Sequence, residues 1–323
     1  MRTVRTLLRV LAVLLLGLLL VRLGGGERGT LGVLAVGALP VLLLPAYALL
    51  VLAAPLRDRR LALLSAAVVA GHLLLVLPSL QPAGVSAQAR EAPRLRVVTS
   101  NLYVLNETPE EAARAVRALR PDVLVVTELT VEGRAALASQ GVLDDLPHEA
   151  LRWGSGAEAV GLFSRTPLSE VAFTPYGGRV LPRAVVEVGG TRVQVLGEHT
   201  QPAFSVFEVQ WRGSLARLRA DVEATPLPVV VAGDLNSTRE HRPFRRLLEV
   251  GLRDAHEERG RGLARTWPAS APLVLYDHVL VRDGRGPGAA RVEVLAVREA
   301  DVPGSDHRAV VSELAVVSED GGS

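Results

Sequence analysis

In the segment VVVAGDLNSTREH, residues 229–241, an apolar run stops at Gly233 and is followed by Asp234 and Asn236. A short valine-rich run bounded by a turn-forming residue is typical of a buried strand. Gly, Asp and Asn are also the usual residues of turns, so a simple turn explains the segment taken alone. Whether the segment is a simple turn or part of a functional site depends on the residues at the ends of the other strands.

Polar side chains of a restricted set recur at the ends of the other predicted strands. Mg²⁺ prefers carboxylate and carbonyl oxygens, with water and phosphate completing its shell. Turn formers placed by chance would bring Gly, Ser and Pro into the set, so the pattern indicates a divalent-metal and phosphate site at the edge of a sheet. The set is Asn101 after RVVTS, Glu128 after DVLVVT, Glu198 and His199 after RVQVLG, Asp234 and Asn236 after PVVVAG, Asp277 and His278 in LVLYDH, and Asp306 and His307 before AVVSEL.

The remainder of the chain from residue 94 alternates short β-like runs with helix-period segments, such as residues 109–120 and 211–224. Strands outnumber helices and alternate with them irregularly. This pattern predicts an α/β (α+β) sandwich with sheets inside and helices outside.

Five motifs resemble, in order, those of the endonuclease/exonuclease/phosphatase superfamily, which has the deoxyribonuclease I-like fold. The resemblance covers about residues 94–317 and implies a four-layer α/β sandwich. The motifs are Asn101 in SNLY, Glu128 in TEL, GDLN at 233–236, YDHV at 276–279 and SDH at 305–307, with GLFSRTPL at 161–168 and TWP at 266–268 in support.

The resemblance also implies a Mg²⁺ or Mn²⁺ cofactor. In that reading Glu128 is the principal metal ligand, Asn101 lies beside it, and Asp306 shares the ion or its waters. These three residues are the predicted metal set.

The same resemblance assigns catalytic roles to five residues. Whether Asp234 or His307 is the base stays open. The implied roles are Asp234 to orient and deprotonate the attacking water, Asn236 to hold that water or a phosphate oxygen, His307 to bind the phosphoryl oxygens, Asp277 to fix the tautomer of His307, and His199 to stabilise charge on phosphorus.

Several residues fall outside the implied set. Apurinic-site endonucleases of the superfamily usually carry Asp where this chain has Tyr103, which disfavours a DNA-repair function. We expect Glu198 and His278 to lie at the surface or behind the catalytic residues. The histidines in polar segments are expected to be solvated; they are His148, His241 and His256.

The charge distribution separates the N-terminal region from the rest. Residues 1–89 carry eight Arg against two acidic residues, whereas residues 90–323 carry 28 basic and 32 acidic residues. An acidic domain is a poor electrostatic trap for a polyanion, so nucleic acid is the less favoured substrate. The chain has no cysteine, which excludes disulfides and thiolate metal sites.

Three apolar stretches, residues 6–23, 31–54 and 61–80, are each near the roughly 20 residues that a membrane-spanning helix needs. We therefore predict a three-helix transmembrane anchor over residues 1–80, with a cleaved signal peptide as the alternative for the first stretch. Residues 81–93 are expected to be a linker, in which AQA at 87–89 resembles a cleavage site. Residues 318–323 are expected to be a disordered tail.

Arginines near the spans predict the orientation. Arg2, Arg5 and Arg9 precede the first span, and the second connection, PLRDRR at 55–60, is also basic. This bias favours a plasma-membrane protein with a cytoplasmic N-terminus and an extracytoplasmic catalytic domain, residues 94–317. A 13-residue flexible linker would reach on the order of 20 Å, close to the lipid headgroups.

Three functions follow from the sequence. The favoured one is a membrane-anchored phosphohydrolase acting on a lipid phosphate or diphosphate, similar to the branch of the superfamily associated with glycopeptide (vancomycin/teicoplanin-type) resistance. The alternatives are an anchored or shed nuclease or phosphodiesterase, and a catalytically dead binding domain, against which the complete set of polar residues argues. The expected partners are the bilayer and a phosphorylated lipid, with no obligate protein partner.

Overall fold

The computed structural model describes residues 2–154, 158–176, 178–203 and 205–318. The expected tail therefore lies outside the described residues, apart from Ser318. Within this part of the chain twelve strands form the two inner layers. They are β1 Arg94–Asn101, β2 Val123–Leu129, β3 His148–Leu151, β4 Ala159–Ser164, β5 Ser169–Tyr176, β6 Arg179–Val188, β7 Thr191–His199, β8 Val229–Asp234, β9 Arg253–Asp254, β10 Asp277–Arg282, β11 Arg291–Ala300 and β12 Ala309–Val317.

The strands form two six-stranded mixed sheets, ordered β11-β12-β1-β2-β4-β3 and β5-β6-β7-β8-β10-β9. The sheets pack face to face, because alternate valines such as Val97 and Val125 of one sheet meet Val195 and Val230 of the other in a single buried core. The predicted α/β sandwich is confirmed in this form.

One parallel pair lies inside each sheet, and these two pairs position the polar strand ends. Strand β1 runs parallel to β2, and β7 runs parallel to β8. Strand β10 is antiparallel to β8, so its first residue, Asp277, lies opposite the last residue of β8, Asp234. The ends of five strands therefore meet at one edge of the sandwich.

Helices cover the outer faces of both sheets. The described helices are α1 Arg2–Gly24, α2 Gly29–Gly37, α3 Leu39–Leu42, α4 Pro45–Ala53, α5 Arg59–Val76, α6 Ala87–Glu91, α7 Pro109–Ala118, α8 Val131–Ser139, α9 Val142–Asp145, α10 Glu208–Ala224, α11 Arg242–Leu248 and α12 Ala255–Glu258. Helices α7 to α9 pack on the first sheet, and α10 and α11 pack on the second, where Trp211 and Phe244 are fully buried.

The apolar N-terminal region differs from the expected three continuous helices. Two helical segments, Arg2–Gly24 and Arg59–Leu80, are long and apolar enough to cross a membrane, and there are up to three if a bent pair counts as one span. That pair, Gly29–Gly37 and Leu39–Ala53, is bent by 76°. The break falls next to Pro40 and before Pro45, since proline lacks the N–H that a continuous helix would use.

The apolar helices form a bundle with two distinct ends. At one end Arg9 donates to both carboxylate oxygens of Asp58, at 2.9 Å for the shorter contact. At the other end the Arg22 guanidinium lies 2.6 Å from Glu240 of the sandwich, and both side chains are buried. Leu15, Leu43 and Leu61 belong to the core between the helices.

Helix α2 packs on the sandwich. Val33 is buried in the same core as Trp211, and the Nε2–H of His241 donates to its carbonyl oxygen at 2.9 Å. The backbone N–H of Arg242 donates to Glu27 at 2.7 Å. The N-terminal helices and the sandwich are thus joined through buried polar contacts.

The expected linker also lies against the sandwich. Ser86 donates to Glu293 from both its backbone N–H and its hydroxyl, and α6 follows it directly. Ala89, the last residue of the AQA segment, is fully buried against Ala315 and Val317. This segment is held on β11 and β12 in the structure.

Candidate active site

Asn101 and Glu128 end neighbouring parallel strands and touch each other. The Asn101 amide nitrogen donates to Glu128 Oε1 at 2.9 Å and to Asp234 Oδ2 at 3.2 Å. Glu128 has a φ of +50° and lies within a bulge, between Val126 and Leu129, in the pairing of β2 with β4; bulges of this kind redirect a side chain. Positive φ at a glutamate is strained backbone, of the kind that clusters at functional sites.

Gly233 permits the close approach of β7 and β8 that positions Asp234. A Cβ atom at residue 233 would lie 1.8 Å from the carbonyl oxygen of Glu198, and the φ of Gly233 is +150°. Asp234 is buried opposite His199 and accepts the backbone N–H of Asn236 at 2.8 Å. The segment 233–236 is therefore both a tight turn and part of a site.

His307 is held by Asp277. Its Nδ1–H donates to Asp277 Oδ2 at 2.7 Å, which leaves Nε2 facing Asp234 Oδ2 at 3.8 Å. Asp306 Oδ1 lies 4.0 Å from the same Nε2. This arrangement brings three carboxylates around one imidazole.

His199 approaches the site from β7. Its Nε2 lies 3.8 Å from Asp234 Oδ2 and 4.0 Å from Glu128 Oε1. Asn236, with a φ of +43°, donates from its side chain to the carbonyl oxygen of Thr200 at 3.1 Å. All eight residues singled out in the sequence therefore lie at this edge, linked through the contacts given above.

The environment separates the proton affinities of these groups. Burial, reinforced by Asp277, raises the pKa of Asp234 to about 7 against the opposing charge of His307. Burial opposes the charged form of His307, but the carboxylates of Asp277 and Asp234 raise its pKa to about 10. Burial, together with the charges of Arg179 and His307, holds the pKa of His199 well below its usual value.

The donor set fits a divalent cation. Among the described residues, Glu128, His199 and Asp234 form one group that could hold a metal ion, and Asp234, Asp277 and His307 form another. In the described part of the chain, the buried oxygens Asp277 Oδ1 and Asp306 Oδ1 have no hydrogen-bond partner. Carboxylates with imidazoles are ordinary ligands of such ions.

Two members of the predicted metal set, Asn101 and Asp306, do not present a ligand atom to either group. Asn101 turns its amide nitrogen toward both carboxylates, while its Oδ1 accepts the backbone N–H of Tyr103 at 2.8 Å. Its amide must turn over to offer the oxygen to a cation. Asp306 is in neither group of the described residues, and its Oδ2 accepts the indole N–H of Trp267 at 3.1 Å.

Sequence reasoning gave no role to several residues that support the site. The Ser305 hydroxyl donates to the carbonyl oxygen of Asn101 at 2.7 Å and accepts the backbone N–H of His307. Trp267 stacks on Tyr276 and bonds Asp306. Both residues lie in motifs found in the sequence, SDH at 305–307 and TWP at 266–268, but their hydrogen-bond partners could not be read from the motifs.

The expectation that His241 and His256 would be solvated is wrong, whereas Glu198 and His278 are buried behind the residues of the site, which is one of the two positions expected for them. Glu198 is buried and pairs with Arg217 at 2.6 Å. His278 is buried, with its Nδ1 2.5 Å from Asp254 Oδ2 and its Nε2 2.8 Å from the carbonyl oxygen of Ser237. His241 and His256 are fully buried because partners distant in sequence accept their N–H groups; His148 is partly exposed.

The site has the groups that phosphate-ester hydrolysis requires. A buried carboxylate with a pKa near neutrality can accept a proton from water, and a charged imidazole beside it can bind a phosphoryl oxygen. Asp277 fixes the tautomer of that imidazole.

Comparison with known proteins agrees with this geometry. A family model described as Endonuclease/Exonuclease/phosphatase family matches residues 98–307. No curated protein matches the chain.

Similar solved structures include an endonuclease/exonuclease/phosphatase from Beutenbergia cavernae (21% identity, TM-score 0.54, 69% of this chain and 72% of that one). A sphingomyelinase C from Streptomyces griseocarneus is 19% identical, with a TM-score of 0.51 over 68% of this chain and 99% of that one. A mutant beta toxin from Staphylococcus aureus with bound magnesium ions is 17% identical, with a TM-score of 0.51 over 68% of this chain and 98% of that one. At these identities the likeness shows the fold.

Proposed function

Because this chain belongs to the endonuclease/exonuclease/phosphatase family, whose members are hydrolases acting on phosphate esters, we propose that it is a membrane-anchored, divalent-metal-dependent phosphohydrolase. Its substrate would be a lipid phosphate or diphosphate in the outer leaflet of the plasma membrane. The cofactor would be Mg²⁺ or Mn²⁺.

One observation carries the proposal: the loop that follows the site residues rests on the apolar helices. Two residues beyond Asn236, the Thr238 hydroxyl donates to the carbonyl oxygen of Gly37 at 3.4 Å. In the same loop Glu240 forms an ion pair with Arg22, and His241 donates to the carbonyl oxygen of Val33. If the helices lie in a bilayer, this contact holds the site near the headgroup layer.

Exposed apolar side chains beside these helices support contact with lipid. Leu31 on α2 is 83% exposed, and Val206 and Val209, next to the start of α10, are 80% and 81% exposed. The backbone N–H of Gly29 donates to Glu208, so these residues share one side of the molecule. Apolar side chains concentrated next to candidate spans are characteristic of a membrane-facing surface.

The two ends of the helical bundle support the proposed orientation. Arg5 and Arg9 lie close to Asp58, which is flanked by Arg57 and Arg59, whereas the sandwich contacts the opposite end at Arg22. Arginine-rich ends normally stay in the cytoplasm. The sandwich would then lie outside.

The chemistry would follow from the residues of the site. Glu128 and Asp234, with Asn101 and Asp306 beside them, would hold the cation, which supplies Lewis-acid stabilisation of charge on the phosphoryl oxygens when bound. Asp234 would orient the attacking water and His307 would bind a phosphoryl oxygen, with Asp277 holding its Nδ1. Asn236 would position the water or a phosphate oxygen. His199 would stabilise the negative charge that develops at the phosphoryl group.

A substrate panel tests this function. The full chain in detergent micelles with Mg²⁺ should release phosphate from lipid diphosphates or lipid phosphates faster than it degrades DNA. Efficient cleavage of DNA without activity on the lipids would favour the anchored nuclease instead. No hydrolysis of any phosphate ester, with the fold intact, would favour a binding domain.

A further inference from the structure

A groove lies between the apolar helices and the loop that leads into the active site. Pro40 and Leu75 line it from the helices, and Leu263, Leu273 and Leu275 line it from the loop. We call it the helix–loop groove. The groove is open on one side and small, with a cavity volume of about 50 Å³, room for only a few water-sized groups. A long chain would therefore lie along its open flanks.

The flanks of the groove are apolar and accessible. Leu263 is 40% exposed and Leu273 is 49% exposed, although both belong to the sandwich. On the helix side, Leu74 is 76% exposed and Leu77 is 49% exposed, next to the groove residues Leu75 and Val76. The groove is therefore continuous with the surface of α5 that would face lipid.

The groove also contains an arginine that has no partner among the described residues. The three carboxylates that line the groove are already paired: Glu257 with Arg239 at 2.7 Å, Glu240 with Arg22 at 2.6 Å and Asp254 with His278 at 2.5 Å. The Arg265 guanidinium, by contrast, has no ion pair or hydrogen bond within the described residues. An arginine without a partner beside apolar walls is complementary to the phosphate of an amphiphile, since guanidinium and phosphate form charge-assisted hydrogen bonds.

The loop that lines the groove is bonded directly to the active site. Thr266, next to Arg265, accepts the backbone N–H of Asp277 through its hydroxyl at 3.2 Å. Trp267, the next residue, donates to Asp306. A head group held at Arg265 would therefore be next in the chain to residues that support the site.

We propose that the helix–loop groove binds the apolar chain of the substrate, with Arg265 contacting its phosphate head. The inference rests on the proposed function, because it names the part of the substrate that the apolar helices help to recognise. Continuity with the lipid-facing surface of α5 and the unpaired arginine together favour a lipid with an anionic head over a peptide or a second copy of the chain. Leu263 and Leu273 then act as specificity residues for chain length.

Kinetics with two substrates that share a head group test the groove. The full chain is assayed on a long-chain isoprenyl diphosphate and on isopentenyl diphosphate. Leu263→Asn and Leu273→Asn should each raise KM for the long chain about tenfold, as expected when the contact of a leucine is lost, with kcat and short-chain hydrolysis unchanged. Arg265→Gln should raise KM for both substrates, and Val171→Asn, an exposed valine on β5 that is 43% accessible, should change neither.

The possible results distinguish a failure of the groove proposal from a failure of the proposed function. Equal effects of Leu273→Asn on both substrates, or no effect on either, would overturn the groove. If the wild-type chain hydrolyses neither diphosphate, the lipid-diphosphate assignment fails, and the groove is then judged by labelling alone. An alkyl phosphate carrying a terminal diazirine should label residues 261–275 in wild type and less so in Leu273→Asn; labelling elsewhere contradicts the proposal.

Discussion

The Nδ1 nitrogen of His307 lies 2.7 Å from Oδ2 of Asp277, and both side chains are buried. This contact fixes which imidazole nitrogen faces the site, so Nε2 is turned to Asp234 at 3.8 Å. In the proposed function Asp277 would act through His307, whereas His307 and Asp234 would contact the phosphate directly. The contributions of the three residues should therefore differ in size.

His307→Ala and Asp234→Asn should each lower kcat by about 10²–10⁴, the range typical of acid–base and charge-stabilising groups. Asp277→Asn should cost less, because the imidazole remains in place. Single-turnover rates of the three variants measure this order. A large loss in Asp277→Asn together with near-normal turnover in His307→Ala would contradict the proposed pairing.

Glu128→Gln should remove most of the metal-dependent hydrolysis while the fold survives, because an amide retains the size of the side chain but loses the charge that attracts a cation. Binding of Mn²⁺ by the full chain, measured by its paramagnetic effect on water relaxation, should weaken in parallel. Glu132→Gln, an exposed neighbour on α8, is the matched control. Undiminished turnover in Glu128→Gln, or in wild type with chelator present, would contradict the metal assignment.

Arg22→Leu should destabilise the detergent-solubilised chain by about 3–5 kcal/mol, because it leaves Glu240 buried and unpaired. The midpoint of thermal unfolding measures the effect. Glu170→Gln, which breaks the exposed pair with Arg192, should cost less than about 1 kcal/mol. A full-stability Arg22→Leu variant would mean that the helices do not support the loop after Asn236.

The His256 cluster should make stability fall at alkaline pH. Burial opposes the charged form of His256, but its contacts with the carboxylates of Asp254 and Glu299 outweigh burial and raise the pKa of His256 to about 9. The stabilisation is complete below pH 6.5, the usual pKa, and is lost as the pH rises through about 9, to an extent on the order of 3 kcal/mol. Between pH 6 and 10 the midpoint of thermal unfolding should fall less in His256→Gln than in wild type. Parallel curves of midpoint against pH for the two proteins would contradict the role of the cluster.

The polar strand ends could be predicted because their signal is local. An apolar run that ends in Asp, Glu or His identifies a candidate residue without knowledge of its partner, and β1, β2, β7 and β8 bring these ends together through parallel pairing. The sandwich could be predicted for the same reason.

The buried histidines and the packing of α2 could not be predicted, because their partners are distant in sequence. His256 meets Glu299 43 residues away, and His241 meets Val33 208 residues away. Hydropathy alone does not show where an apolar segment bends, so residues 31–54 suggested one continuous helix although the chain bends by 76° within them.

Phosphate release in vesicles tests whether the chain hydrolyses a lipid diphosphate in the bilayer that holds it. The full chain is reconstituted either with a lipid diphosphate in the same bilayer or mixed with separate vesicles that carry it. We expect Mg²⁺-dependent phosphate release from the shared bilayer, little from separate vesicles, and almost none with Glu128→Gln in either case. Equal release from both arrangements, or rapid cleavage of DNA in solution with the lipid diphosphate intact, would contradict it.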